Sequence, residues 1–279
     1  MNLSGEDIRG RIKIGIIGGS GMCKFDEIKT VFKIKPETKY GDISDEILIC
    51  EVNGQLVAFI PRHGSKHSIA PHKVPYKANL LTLKEIGVKY VIGTCIVGSL
   101  KKEIEPGSIV LPDQFVNLTW GRDDYVDMDN GSFVHLPMDK PYCENLRNLI
   151  ASAANNLNMP VKKDGTVVVI QGPRFSTLAE SKWLSSNNWD IVNMTQYPEC
   201  YLAKELGLCY AAIASVTDYD VGLQKQLTIG PEQMNVILDI FQNNIKNVKA
   251  LLLKFLNLFG DFSCNCAKEL TKNYYEENL

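Results

Sequence analysis

The chain has 279 residues, 45% of them hydrophobic and 22% charged. That is enough to bury a core without metal or disulfide staples, and too apolar for a disordered chain. Thirty Lys and Arg against 32 Asp and Glu leave a formal net charge of −2, which excludes the general basic footprint of a nucleic-acid binder. There is no apolar run of about 18 residues, so no membrane span is expected. The polar, mixed-charge start from Met1 to Arg11 lacks the pattern of a secretory signal, so a cytoplasmic location is expected.

In chain order, Arg11 to Ile17 is an apolar run that enters Gly18-Gly19-Ser20-Gly21, a buried strand running into a glycine turn. Glu46–Val52 and Gln55–Ile60 flank Asn53-Gly54, which predicts a hairpin. Tyr76 to Ile86 reads as a helix stopped by Gly87, and Tyr90–Cys95 as a strand continuing into Ile96-Val97-Gly98-Ser99. Ser108–Pro112 is a further short strand. Leu146–Leu157 reads as a helix, Gly165–Ile170 as a buried strand, Ser176–Ser185 as a helix and Ile191–Met194 as a short strand. Ala203–Gly207 closes another helix, and Cys209–Val216 is another buried strand. From Pro231, apolar residues recur at three- and four-residue steps through Ile237, Phe241, Ile245, Val248, Leu252, Phe255 and Phe259, predicting an amphipathic helix. The polar tail 261–279 is expected on the surface.

Strands that alternate with helices and include a hairpin predict an α/β fold: a single domain over 1–279, core about 12–260, with a mixed central β-sheet flanked by helices. Polar residues gather where strands end, at Ser20, His63, Cys95, Thr195 and Asp218. Ligands of α/β sheets collect at the carboxyl ends of strands, so these five segments are expected to converge on one pocket.

The glycine turn at Gly18–Gly21 either presents amides and the Ser20 hydroxyl to a phosphate or only packs tightly. Arg62-His63 follows a strand, and a guanidinium fork suits phosphate. His67 and His72 lie near, but without carboxylates or a helical spacing they do not predict a metal site. Phe175, in Gly172-Pro173-Arg174-Phe175-Ser176, either stacks on a flat base or packs in the core. Thr195 is either a phosphate ligand or a helix cap. Asp218 and Asp220, two residues apart at a buried strand end, either differ in protonation or form a solvated turn. Cys23, Cys50, Cys95, Cys143, Cys200 and Cys209 read as scattered thiols that pack like small hydrophobes. No cysteine–histidine spacing predicts zinc. Cys264-Asn265-Cys266 is read as a redox pair, a terminal staple or idle.

Together, IGIIGGSG (14–21), PRHGSKHSIAPHKVPYKAN (61–79), VGSL (97–100), IEPGSIVLPDQF (104–115), HLPM (135–138), GPRFST (172–177), NMTQYPE (193–199) and VTDYD (216–220) resemble, in order, the nucleoside phosphorylase superfamily. Within it they resemble the trimeric branch acting on 5′-methylthioadenosine. The resemblance implies the nucleoside phosphorylase fold. It implies a phosphate site of Ser20, Arg62, His63, Thr195 and the backbone around Cys95-Ile96, and a ribose site at Met194. Phe175 would face the base. His135 would reach a neighbouring subunit's site, and Met234 and Ile237 would line an apolar pocket for the 5′ substituent. It implies phosphate as co-substrate with no metal or organic cofactor, small-molecule nucleoside partners, no nucleic acid or membrane, and a homotrimer or dimer of trimers in purine and methionine salvage.

Relatives that act on inosine and guanosine carry Glu at the position of Ser176 and Asn at that of Asp218. The Ser and Asp here imply a preference for adenine, with a protonated Asp218 donating to N7 and Asp220 accepting from the 6-amino group. Three departures stand out: Cys95 where a Thr is usual, Asn117-Leu118-Thr119 in place of Asp-Arg-Thr, and Gln196-Tyr197 in place of small residues. The competing readings are a phosphorylase of adenosine or of 6-oxopurine nucleosides, a hydrolase, and a non-catalytic purine-binding homologue.

Overall fold

The apolar run Ile12–Gly18 forms β1, with six of its seven residues buried, as expected for a strand sandwiched between helical layers. The computed structural model describes residues 10–22, 27–126, 135–223, 231–260, 262–264 and 266; Cys23 and the side chain of Met234 lie outside them. The predicted hairpin is β3 (Ile47–Val52) and β4 (Gln55–Pro61), antiparallel with Val52 opposite Gln55. Asn53 and Gly54 take φ values of 49° and 77°, the two positive angles that a two-residue hairpin turn requires. An edge strand, β2 (Lys29–Ile34), pairs with β3 and was not predicted.

A single 3-10 turn at Pro71–Lys73 leads to helix α1 (Tyr76–Glu85) and then to β5 (Tyr90–Ser99). Two short strands follow, β6 (Ile109–Val110) and β7 (Gln114–Leu118), before α2 (Glu144–Asn156), β8 (Val161–Lys162) and β9 (Thr166–Ile170). The chain continues through α3 (Leu178–Ser186), β10 (Ile191–Asn193), α4 (Gln196–Glu205), β11 (Cys209–Tyr219) and the long α5 (Pro231–Leu258). The mixed sheet runs β2-β3-β4-β1-β5-β10-β9-β7, with β11, β6 and β8 joined through β5.

Alternation along β11 sends residues to two cores. Tyr210, Ala212, Ala214 and Val216 pack beneath α1 and α4, which contribute Leu80, Leu83, Leu202 and Ala203. Cys209, Ala211 and Ile213 pack beneath α2 and α5, which contribute Ile150, Ala153, Leu252 and Phe255. The expected α/β architecture, a mixed sheet between helical layers, is what forms.

Strand β5 positions the site. On one side it pairs with β11 along its whole length. On the other, Tyr90–Gly93 pair with β1, whereas Gly98 and Ser99 pair antiparallel with β10. Residues 94–97 therefore have no ladder partner on that edge, at the point where the strand passes from one neighbour to the next. A strand edge left open inside a sheet exposes backbone groups to a ligand, and such switch points are where α/β sheets bind ligands.

Candidate active site

A cavity of about 960 Å³ opens at this gap. Ser20, His63, Cys95, Thr195 and Asp218 all line it, so the five segments expected to converge do so, although Cys95 lies in the middle of β5 and not at a strand end.

At one end lies Arg62, fully buried directly after β4. Its Nε and Nη2 donate to the two carboxylate oxygens of Glu199, each at 2.6 Å, and its Nη1 donates to the Thr94 carbonyl at 2.7 Å, on the open stretch of β5. Tyr210 Oη donates to the same carboxylate at 2.7 Å. Burial alone would lower the Arg62 pKa, but the Glu199 carboxylate outweighs it and keeps the guanidinium above its ordinary value. Glu199 was not predicted as a site residue: it sits in the first turn of α4, 137 residues from Arg62.

His63 stays neutral. Burial, reinforced by the Arg62 charge, pushes its pKa down to about 4. Its Nδ1 lies 2.8 Å from the Ile69 carbonyl, which can only accept, so Nδ1 carries the proton and Nε2 is an acceptor. The site's formal positive charge is therefore the guanidinium, not an imidazolium.

The glycine turn packs tightly at its second residue. The Gly19 amide is already used, donating to Thr94 Oγ1 at 3.0 Å. A Cβ at Gly19 would stand 2.4 Å from the Thr94 carbonyl oxygen and 2.8 Å from Arg62 Nη1. This glycine lets β1 approach β5 and Arg62; the turn offers the cavity Ser20. Thr195 is buried at the N-cap position of α4 but makes no side-chain cap bond, so the helix-cap alternative fails and its hydroxyl remains available. Residues 195–205 bend at Tyr197, which is extended because Pro198 follows.

At the other end, Asp218 lies in the last residues of β11 and Asp220 directly follows it. Asp218 is half-buried and Asp220 buried. Burial and the neighbouring Asp220 charge raise the Asp218 pKa against the opposing hydrogen bond from Thr217 Oγ1 at 2.6 Å. The burial of the pair goes against the solvated-turn alternative. Asp220 Oδ2 and Ser176 Oγ are both buried without a hydrogen-bond partner. An unpaired buried polar atom costs about 1–3 kcal/mol, and both residues line the cavity, where a ligand can supply the missing partner. The Asp220 amide donates to Ser99 O, five residues along β5 from the carbonyl that holds Arg62. At about 3.3 Å per residue this separates the two anchors by about 16 Å.

Met194 and Ile96 line the cavity between the ends, with Ile237, Leu238 and Phe241 of α5 as an apolar wall. The Met194 carbonyl accepts from Arg122 Nη2 at 2.9 Å, and Arg122 also donates to the Gln171 carbonyl at 3.0 Å. Arg122, also unpredicted, thus ties the ends of β9 and β10 together. Gly172 has φ 63°, and a Cβ there would lie 2.5 Å from Met194 Sδ. Phe175 is at the rim and 81% exposed, which overturns the core alternative. His135 is exposed and does not line the cavity of its own chain. Cys95 is buried, and its sulfur accepts from Gln196 Nε2 at 3.4 Å; burial pushes its thiol up to about 11, so it stays protonated.

Residues 13–257 match the family described as "Phosphorylase superfamily". The chain is 40% identical over 260 residues to S-methyl-5′-thioadenosine phosphorylase of Nitrosopumilus maritimus, covering 93% of this chain and 97% of that one. It is 46% identical over 243 residues to the protein of the same name from Mycolicibacterium smegmatis, covering 87% and 90%. A solved variant of adenosine/methylthioadenosine phosphorylase from Schistosoma mansoni, in complex with methylthioadenosine, superposes with a TM-score of 0.86 at 32% identity, covering 95% of this chain and 99% of that one.

Proposed function

The chain belongs to the phosphorylase superfamily, and from that premise we propose that it is a pentosyltransferase cleaving the glycosidic bond of 5′-methylthioadenosine with inorganic phosphate, giving adenine and 5-methylthioribose 1-phosphate. The observation that carries the choice of base is the pairing of Asp218, whose pKa is raised, with the buried, unpartnered oxygen of Asp220. A protonated Asp218 donates to purine N7, and Asp220 accepts from the 6-amino group. A 6-oxo group would set an acceptor against an acceptor.

As the C1′–N9 bond stretches, positive charge develops on the sugar and negative charge on the purine. Asp218 lowers the cost of the departing charge by giving its proton to N7. Phosphate, bound by Arg62, Ser20, Thr195 and the open backbone at Cys95-Ile96, stabilises the cationic sugar from below and then bonds to C1′. His63 Nε2 accepts a hydrogen bond from a protonated phosphate oxygen. Met194 supports the 2′ and 3′ side of the ribose, Ser176 and Phe175 face the base, and Ile237 encloses the methylthio group. Phosphate is the co-substrate; no step calls on a metal or organic cofactor. His135 is proposed to act in a neighbour's site, which carries a homotrimer or a pair of trimers with it. The reaction is assigned to cytoplasmic purine and methionine salvage. Among the described residues, no helix is long and apolar enough to cross a membrane.

The test is a rate comparison on methylthioadenosine, adenosine and inosine with and without phosphate. Both adenine nucleosides should be cleaved only with phosphate, and inosine more slowly by about tenfold to a hundredfold. A preference for inosine would overturn the base assignment. Cleavage without phosphate would make the protein a hydrolase, and binding without turnover a purine-binding homologue. Cys95→Thr exchanges a weak donor for a hydroxyl beside the open edge of β5, so the phosphate KM should fall several-fold, on the order of one added hydrogen bond. An unchanged or higher KM would remove Cys95 from the phosphate site.

A further inference from the structure

Four cysteines meet on the far side of the sheet from α1 and α4. Cys143 lies at the N-cap of α2, Cys209 opens β11, and Cys264 and Cys266 follow α5. Their four sulfurs all lie within 4.8 Å of one another, with Cys143–Cys264 at 3.3 Å and Cys264–Cys266 at 3.0 Å, and all four thiols are free. Cys143 and Cys209 are buried and the other two half-buried, so Phe262, Cys264 and Cys266, expected on a surface tail, pack against the core. No sequence spacing announced this, because only the fold brings the three segments together.

We propose that these four cysteines form a structural site for one thiolate-loving divalent cation of the zinc class. Four sulfurs about 2.3 Å from a central zinc lie about 3.8 Å apart, close to the spread seen here, whereas a disulfide requires about 2.05 Å. An all-sulfur tetrahedral donor set selects zinc or iron over harder cations. The surroundings suit bound thiolates. The Leu146 amide donates to Cys143 Sγ at 3.4 Å from the first turn of α2, and the Cys266 amide donates to Cys264 Sγ at 3.4 Å. Amides directed at ligating sulfur spread its charge and fix its orientation, and a helix N-terminus favours a negative group.

Tyr90 Oη holds the incoming segment by donating to the Phe262 carbonyl at 3.2 Å, with Phe259 and Phe262 packed on its ring. Binding displaces the four thiol protons to solvent, and no electron moves. None of the four residues lines the catalytic cavity. The cation fastens the end of α5 to the starts of α2 and β11, and its role is stability.

The experiment uses the full chain purified under reducing conditions. It is loaded with Zn2+, desalted and analysed for metal, with Co2+ loading in parallel. One zinc per chain and the visible bands of a tetrahedral cobalt–thiolate centre are expected. Chelation of the zinc should lower the Tm by about 5 °C or more and leave kcat on the nucleoside unchanged. Cys264→Ser with Cys266→Ser should lose the metal and keep activity at low temperature. If that variant does not fold, competition of the reduced wild-type protein with a chromogenic chelator decides the matter alone. A reduced wild-type chain that loses all zinc on desalting would overturn the proposal. So would an intact mass four hydrogens light and free of zinc, which marks two disulfides.

Discussion

Replacing Asp218 by Asn should lower kcat on methylthioadenosine by about 10²- to 10⁴-fold, the usual worth of a positioned general acid, while the phosphate KM stays near its wild-type value. Asn presents an amide to N7 but has no proton to give as the base departs. The loss should be much smaller on inosine, since an Asn amide at this position can donate to a 6-oxo purine without a 6-amino partner, and the resemblance implies Asn here in the 6-oxopurine branch. The ratio of methylthioadenosine to inosine rates is therefore the discriminating readout.

The pH dependence has a defined sign. The pKa of Asp218 is raised by burial and by Asp220, and the protonated form is the working one. Activity therefore declines as pH rises through that raised value, and this alkaline limb is absent in Asp218→Asn. The same shift has a stability counterpart. An acid that holds its proton more tightly when folded stabilises the fold below its unfolded value of 3.8, and this contribution is lost as pH rises through the folded value. Equal loss on both nucleosides would argue that the variant disturbs the fold around β11 rather than the proton donor.

The largest expected effect on stability comes from Glu199. Changing it to Gln leaves the fully buried Arg62 guanidinium without its counter-charge and turns an amide N–H toward a donor. Removing one partner of a buried pair costs about 3–5 kcal/mol, which for a chain of this size lowers the Tm on the order of 10 °C. The guanidinium also loses the fork that aims its remaining N–H groups at the cavity, so kcat/KM for phosphate should fall more than tenfold, by the worth of a charged hydrogen bond, about 1.5–3 kcal/mol. High phosphate should restore part of the lost Tm, because a bound anion supplies the missing charge. Tyr210→Phe removes one hydrogen bond from the same carboxylate and should cost only about 1 kcal/mol. A Glu199→Gln chain as stable as wild type would mean that Arg62 is held by Thr94 and packing alone.

Much of the strand-end chemistry was legible in the sequence because it is local. A strand running into Gly18-Gly19-Ser20-Gly21, Arg62-His63 after a hairpin strand and Asp218 with Asp220 at the end of β11 each carry their signal within a few residues. The hairpin was legible because Asn53-Gly54 has one common turn geometry. What was missed is either weakly patterned or purely tertiary. The edge strand β2 has exposed or half-buried residues throughout, and its lysines blunt the edge rather than marking a strand. Glu199 and Arg122 act through partners far along the chain, Arg62 for one and the carbonyls of Gln171 and Met194 for the other. The turn amides looked available in sequence, but Thr94, from the neighbouring strand, takes the one at Gly19. The four cysteines show the same limit, since distant segments converge on one point with no spacing to reveal it.

Catalysis as proposed requires Asp218 to be a carboxylic acid that holds its proton above the range of an ordinary aspartate. Carbon NMR of carboxyl-labelled aspartates, with the Asp218 signal identified by its loss in Asp218→Asn, follows that proton directly through a pH titration. A midpoint above 3.8 is expected, moving higher when a non-cleavable adenine nucleoside fills the cavity. A midpoint at or below 3.8, unmoved by the nucleoside, would contradict that requirement.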